Sequence, residues 1–255
     1  MGKPSESWYV RASQVGALMS KGTKGESFGQ TSMSVITDAV WLNKYGVTNE
    51  IPQNKFLQKG IIMEPESIKM MMNAKKWKAQ EKDGHLKKKR FFNDYVTGEP
   101  DLYFMEKNSS SIVLGDVKSS FSLATFTKPM NYKGPLKTLN KSYWYQMLMY
   151  MWLCGDVKKS FLAYCLTDTP DHIIEGQVYY QTLSQMKAPE NYDKDMTELE
   201  DEIRSNVRKS MIFSHVPEKS RIKIFEIDLD MDEIEKVKAR IIEAKEVYDE
   251  IYKTT

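Results

Sequence analysis

Residues 98–120 read GEPDLYFMEKNSSSIVLGDVKSS, and the reading of this stretch decides the fold. Two strand-like runs, DLYFM from Asp101 and IVLGDVKSS from Ile112, flank the polar segment EKNSSS, the pattern of a β-hairpin. Yet each run carries an acid, Asp101 in one and Asp116 in the other. If Met105 pairs with Ile112 around the loop, counting outward sets Asp101 opposite Asp116. Directly opposed residues on antiparallel strands have β-carbons about 4.5–5.5 Å apart, and like charges there are destabilising. Something cationic belongs between them.

Alternation along a strand puts Lys118 on the face of Asp116 and turns Val117 the other way, into apolar packing. Oxygen ligands without nitrogen or sulfur partners suit Mg²⁺, with Mn²⁺ as the alternative, and Mg²⁺ usually takes one or two carboxylates plus water and phosphate. Two further polar residues fall on apolar surfaces. The stretch from Asn54 to Gln80 has helical periodicity, with Leu57, Ile61, Ile68 and Met71 or Met72 on one face and places to kink at Gly60 and Pro65. The next position on that stripe is Glu64, where an unpaired charge would be costly and a nearby cation would offset it. Gln146 is the sole amide in the apolar helix KSYWYQMLMYMWLC. Each residue also has a structural explanation: Asp101 as a turn residue, Asp116 and Lys118 on an exposed edge, Glu64 as the acid opening a helix at Pro65, Gln146 capping a core backbone group.

Outward from these residues, RASQVGALMS and SMSVITDAVWLNKYG read as helices separated by the loop SKGTKGESFGQTS, which does not fit the phosphate-binding pattern G-x-x-x-x-G-K-[ST]. A basic tract, HLKKKRFF, leads into the hairpin. After the apolar helix come a strand, SFLAYCLT, a polar stretch from TPDHIIEGQ to EKS read as irregular, and a strand RIKIFEIDL. The chain closes with a helix from Met231 to Tyr252, whose Ile234, Val237, Ile241, Ala244, Tyr248 and Ile251 form a docking face against the core or a sister subunit.

The chain of 255 residues is read as one domain, 1–255, with core motifs at 8–168 and a C-terminal strand and amphipathic helix at 220–252. No apolar run approaches the roughly 18 residues that cross a bilayer, so no membrane partner is expected. The N-terminus lacks a secretory pattern, which points to a cytoplasmic protein. Two cysteines, Cys154 and Cys165, and three scattered histidines supply neither a disulfide framework nor a nitrogen- or sulfur-ligated metal site. Residues 1–90 hold 16 Lys/Arg against 8 Asp/Glu, making that end the polyanion-facing one.

Four pieces in order, RASQV, the helix Gly60-Ile-Ile-Met-Glu64, Glu99-Pro100-Asp101 with Asp116-Val117-Lys118, and Tyr145-Gln146-Met147, resemble the PD-(D/E)xK nuclease superfamily. Within it the chain is most similar to viral alkaline exonucleases of the lambda exonuclease and YqaJ type. The resemblance covers roughly residues 8–168. It implies an α/β (α+β) fold with a restriction-endonuclease-like core, a central mixed β-sheet flanked by helices. It also implies that Asp101 and Asp116 hold Mg²⁺ (or Mn²⁺), joined by Glu64 directly or through water. Lys118 would orient or deprotonate the attacking water, or stabilise the developing charge. Gln146 would assist beside the lysine, and Ser13 would touch a phosphate of the DNA terminus. Arg11, close to Ser13, has no clear family counterpart and stands as a further phosphate candidate. The implied activity is Mg²⁺-dependent digestion of linear double-stranded DNA from its ends, 5′ to 3′, leaving 3′ strands for a single-strand annealing partner. Ring-shaped trimers and a phage-encoded origin, acting in the host cytoplasm, come with the same resemblance. The alternatives left open are a RecB- or Cas4-like nuclease of other polarity, a site-specific endonuclease, and an inactive DNA-binding module of the same fold.

Overall fold

The hairpin is present, and the larger of two sheets grows from it. A computed structural model of the chain describes residues 8–22, 27–49, 54–79, 89–109, 111–155, 157–188 and 195–255. Much of the basic tract, at 80–88, and the middle of the glycine- and lysine-rich loop, at 23–26, fall outside the described residues.

Strand β4 (Leu102–Met105) pairs antiparallel with β5 (Ile112–Ser119), and Met105 lies opposite Ile112. Glu106 orders the turn from within. Its buried carboxylate accepts hydrogen bonds from the backbone N–H groups of Asn108, Ser109 and Lys78. On the other side β5 runs parallel to β6 (Lys159–Cys165), which pairs antiparallel with β7 (Ile222–Asp228), giving the mixed order β4-β5-β6-β7. A smaller sheet joins β1 (Val10–Arg11), β3 (Val96–Gly98) and β2 (Phe91–Phe92) in the order β1-β3-β2. RASQV therefore begins as strand, passes through a 3₁₀ turn at Ala12–Gln14, and becomes helical only in α1 (Val15–Leu18).

The parallel link from β5 to β6 must cross the sheet, and it does so through helices α4 (Leu123–Asn131), α5 (Leu136–Leu139) and α6 (Lys141–Leu153). In α6 every residue from Trp144 to Met151 is buried. An all-round apolar helix needs partners on all sides. These are the sheet face carrying Leu114, Leu162 and Phe225, the α1 helix, and α9 (Met231–Thr254). In α9, Ile234, Val237, Ile241, Ala244 and Tyr248 are buried in this same core, so the docking face closes on the chain's own body. Helix α2 (Gln30–Tyr45) adds Val35, Ile36 and Val40.

The opposite sheet face packs on α3 (Lys55–Lys75), whose Met70 and Met71 meet Leu102, Val113, Val117 and Ala163. Helix α3 runs unbroken through Gly60 and Pro65, and its apolar stripe is not the buried one along its whole length. Leu57 is 39 % and Ile61 63 % exposed, while Lys59 and Ser67 are fully buried. The first half of α3 extends beyond the sheet, so tertiary position overrides periodicity there. A second correction concerns the tail. The stretch read as irregular contains α7 (Asp171–Gln185) and α8 (Met196–Met211), which pack together through Ile174, Val178, Leu199, Ile203, Val207 and Met211. Spacing by fours along α8 and the Asp195 cap, which accepts from Thr197 and Glu198, outweigh its polarity. Of the two thiols, Cys165 is buried and Cys154 half-buried. Among the described residues no helix is long and apolar enough to cross a membrane.

Gly98 fixes how closely β3 approaches α6. A β-carbon there would lie 2.7 Å from the Tyr150 ring and 3.1 Å from the Ala12 β-carbon. Because Tyr150 is buried, its ring has little room to yield. Gly98→Ala is expected to destabilise the protein by about 1–3 kcal/mol, read as a lower urea midpoint at unchanged m-value.

Candidate active site

The candidate residues come from four elements. Strand alternation turns Val117 toward α3 and presents Asp116 and Lys118 to α6. The Lys118 Nζ lies 2.5 Å from Asp116 Oδ2 and 4.9 Å from the centre of the Tyr143 ring. Burial alone would lower the Lys118 pKa. The Asp116 carboxylate beside it outweighs that effect and holds the ammonium above its ordinary value.

Gln146 is buried on the facing side of α6. Its Nε2 lies 3.5 Å from Asp116 Oδ1 and donates to Tyr150 Oη at 2.8 Å. The Tyr150 hydroxyl in turn donates to the Glu99 carbonyl at 3.2 Å. Tyr150 thus joins the amide of α6 to the bend that delivers Asp101. Burial, followed by the Asp116 charge, pushes its phenol well above the usual range. The residue was not singled out from the sequence, although its place four positions after Gln146 puts the two on one helical face.

The hairpin register is as counted, but Asp101 is not a rung of the ladder. Leu102 opposite Gly115 is the last pair, and Asp101 occupies the bend just before β4. Its Oδ2 instead accepts the Val117 backbone N–H at 2.9 Å. Pro100 explains the break, because a proline cannot donate to a ladder and constrains the residue before it. Burial first, and then the charge of Asp116, raise the Asp101 pKa to about 8, and Glu64 adds to the shift. Glu64, half-buried on α3, is therefore close enough for its charge to act on Asp101. On the outer side Arg90, at the end of the basic tract, pairs with Glu99 at 3.2 Å.

Arg11 and Ser13 belong to β1 and the 3₁₀ turn that packs against α6. Both are exposed, Arg11 opposite Thr97 at the end of β1 and Ser13 on the following 3₁₀ turn. β1 pairs in parallel with β3, the strand that leads into Glu99 and Asp101.

The donors suit a hard divalent cation. All are oxygens, and Asp116 Oδ2 is buried with no aligned hydrogen-bond donor, its contact with Lys118 being an ion pair. Among the described residues, however, no three acids, histidines or cysteines gather into a closed ligand group. The arrangement thus offers two carboxylates with Glu64 beyond them.

Neither a protein-family model nor a curated protein matches the chain. Solved structures do. A phage-related exonuclease from Haemophilus somnus 129PT superimposes with a TM-score of 0.67 at 23 % identity, over 97 % of this chain and 96 % of that one. The alkaline exonuclease LHK-Exo of Laribacter hongkongensis gives 0.58 at 13 % identity, over 96 % and 90 %. The same enzyme in complex with dAMP gives 0.59 at 14 %. The chain has the fold of these exonuclease structures, a mixed α+β core, and the likeness extends through the tail beyond residue 168.

The raised Asp101 pKa has a definite sign. Unfolded, this carboxyl ionises near 3.8. Folded, it keeps its proton to about 8. Between these values the folded state binds the extra proton, so this group makes stability fall as pH rises from about 4 to 8. In chelator-treated protein, Asp101→Asn, which still offers an acceptor to Val117, is expected to flatten the fall in Tm across this window. Melts at pH 5 and pH 8 measure it.

Proposed function

We propose that the chain is a metal-dependent deoxyribonuclease that hydrolyses phosphodiester bonds of linear double-stranded DNA from its ends. The observation that carries this reading is the assembly of Asp116, Lys118, Gln146 and Asp101 at the meeting of β5, α6 and the β4 bend. The order of motifs and the fold shared with exonuclease structures support it.

Asp101 and Asp116 would hold the cation, Mg²⁺ or Mn²⁺, joined by Glu64 directly or through water. A bound divalent ion would polarise the scissile phosphate and acidify an attacking water. The remaining roles belong to the chain. As an ammonium, Lys118 places positive charge where the phosphoryl oxygens gain negative charge, and its pairing with Asp116 fixes that position before substrate arrives. Gln146 holds Asp116 Oδ1 and is itself held by Tyr150, so neither side chain must reorganise during the reaction. Ser13 and Arg11, exposed on β1 and the turn that follows it, would receive a phosphate of the DNA end.

Polarity 5′ to 3′, production of 3′ strands for an annealing partner, and a ring-shaped trimer complete the proposal on the strength of the resemblance alone. That a relative in fold was crystallised with dAMP accords with release of mononucleotides.

Asp116→Asn is expected to reduce Mg²⁺-dependent degradation of linear duplex by about 100-fold or more, with the fold intact by circular dichroism. End-labelled linear duplex, closed circles and single strands, each with Mg²⁺ or EDTA, report end dependence and polarity together. Undiminished activity in the variant, or cutting of closed circles at the same rate, overturns the reading.

A further inference from the structure

Lys59 is the one charged side chain buried completely in α3, and the reaction just described does not use it. Its Nζ donates to the carbonyl of Thr167 at 2.8 Å and to that of Phe121 at 3.0 Å. Phe121 lies just past the end of β5 and Thr167 just past the end of β6. The rings of Phe121 and Phe213 lie within 6 Å of the ammonium, at 5.7 and 5.6 Å. Asp168 and Glu66 are the acids that act on it through space. Burial outweighs them and lowers its pKa to about 8.

A charge is costly to bury, so the surroundings must give this one a task or a compensation. The rest of the helix indicates the task. Between Lys55 and Glu66, Lys59 is the only buried residue, while Phe56, Leu57, Ile61 and Ile62 all face solvent. This half of α3 has little apolar surface to hold it down. Pro65 weakens it further, because proline cannot donate the N–H that would tie this point of the helix to the preceding turn. Beyond Pro65 the helix is secured separately, by Ser67 Oγ against Ser119 Oγ at 2.8 Å and by Met70 and Met71 in the core. Glu64 sits at the junction, on the half whose one buried anchor is Lys59, the others being surface contacts, Phe56 edge-on against Phe121 and Lys55 donating to Gln177.

We propose that Lys59 is a positioning residue, which pins the first half of α3 to the carboxyl ends of β5 and β6 and thereby sets where Glu64 stands relative to Asp101 and Asp116. The inference rests on the hydrolytic reading above, yet half of its test does not involve activity. Lys59→Met keeps the length and apolar stem and removes every donor. Lys59→Gln keeps an N–H donor on a shorter arm and serves if the first variant does not fold.

In the full-length protein, amide hydrogen exchange compares residues 55–64 with 66–75 and with the β5 and β6 amides. Exchange in 55–64 is expected to rise at least tenfold while the other amides keep wild-type protection. On end-labelled linear duplex with Mg²⁺, kcat is expected to fall at least tenfold with KM within twofold, and Lys59→Gln to fall between Lys59→Met and wild type. Wild-type exchange in 55–64, or loosening spread evenly over α3 and the sheet, overturns the proposal, as does wild-type kcat in a variant with a loosened 55–64. If wild-type protein itself degrades no DNA while the exchange changes as stated, the anchoring role stands and the hydrolytic reading fails.

Discussion

The structure turns on a carboxylate buried in the middle of a sheet. Asp116 is 2 % exposed on β5, with a strand on either side and the apolar α6 helix above. An ionised carboxylate in such a place is tolerated only with a partner, and the partner is Lys118, two residues along the same strand. Breaking a buried pair of this kind is costly because it leaves one charge uncompensated. The surrounding elements therefore serve the pair as much as the pair serves them. Gln146 and Tyr150 carry polar contacts from α6 to Asp116 and Glu99, and Gly98 lets the neighbouring strand come near enough for Tyr150 to reach Glu99.

Strain of a different kind remains at Asp101. Its carboxyl meets the charges of Asp116 and Glu64 in a desolvated bend, where the Val117 N–H donates to it. For stability alone, an asparagine would serve as well. Carboxyl groups held close enough to shift one another's ionisation are a mark of sites that work on a charged ligand. The donors here are all oxygens, the kind that suits the hard divalent cation proposed above.

Much of this was legible in the residues. Alternation in IVLGDVKSS located Asp116 and Lys118 on one face, and the loop length set the Met105 to Ile112 register, because both follow from strand geometry. What was not legible depended on where elements end. Pro100 stops the ladder one residue short of Asp101, and the sheet ends before the first half of α3, leaving Leu57 and Ile61 in solvent and Lys59 inside. Helices α7 and α8 were missed for another reason. In α8 the few apolar residues lie among charged ones, and in α7 the exposed Tyr179, Tyr180 and Leu183 blur the buried face, so a regular four-residue spacing was masked. Tyr150 could have been found, since it stands one turn beyond Gln146 in the same helix.

The parallel pairing of β5 with β6 also governs how the chain reaches its native state. The β4–β5 hairpin needs only a local turn, but it gathers two acids whose mutual repulsion works against it. Asp116 meets its ladder neighbour Leu162 only after α4, α5 and α6 have been threaded between them, and α6 brings Gln146 on the way. Loop closure must precede those contacts, which slows topologies of this type. The earliest local structure thus holds its acids close together with Lys118 as the one local counter-charge on β5, and the burial that fixes the pair arrives from sequence far downstream. In this chain the same groups that equip the site tax its assembly, so Asp116 is covered by Gln146 only once the crossover has closed.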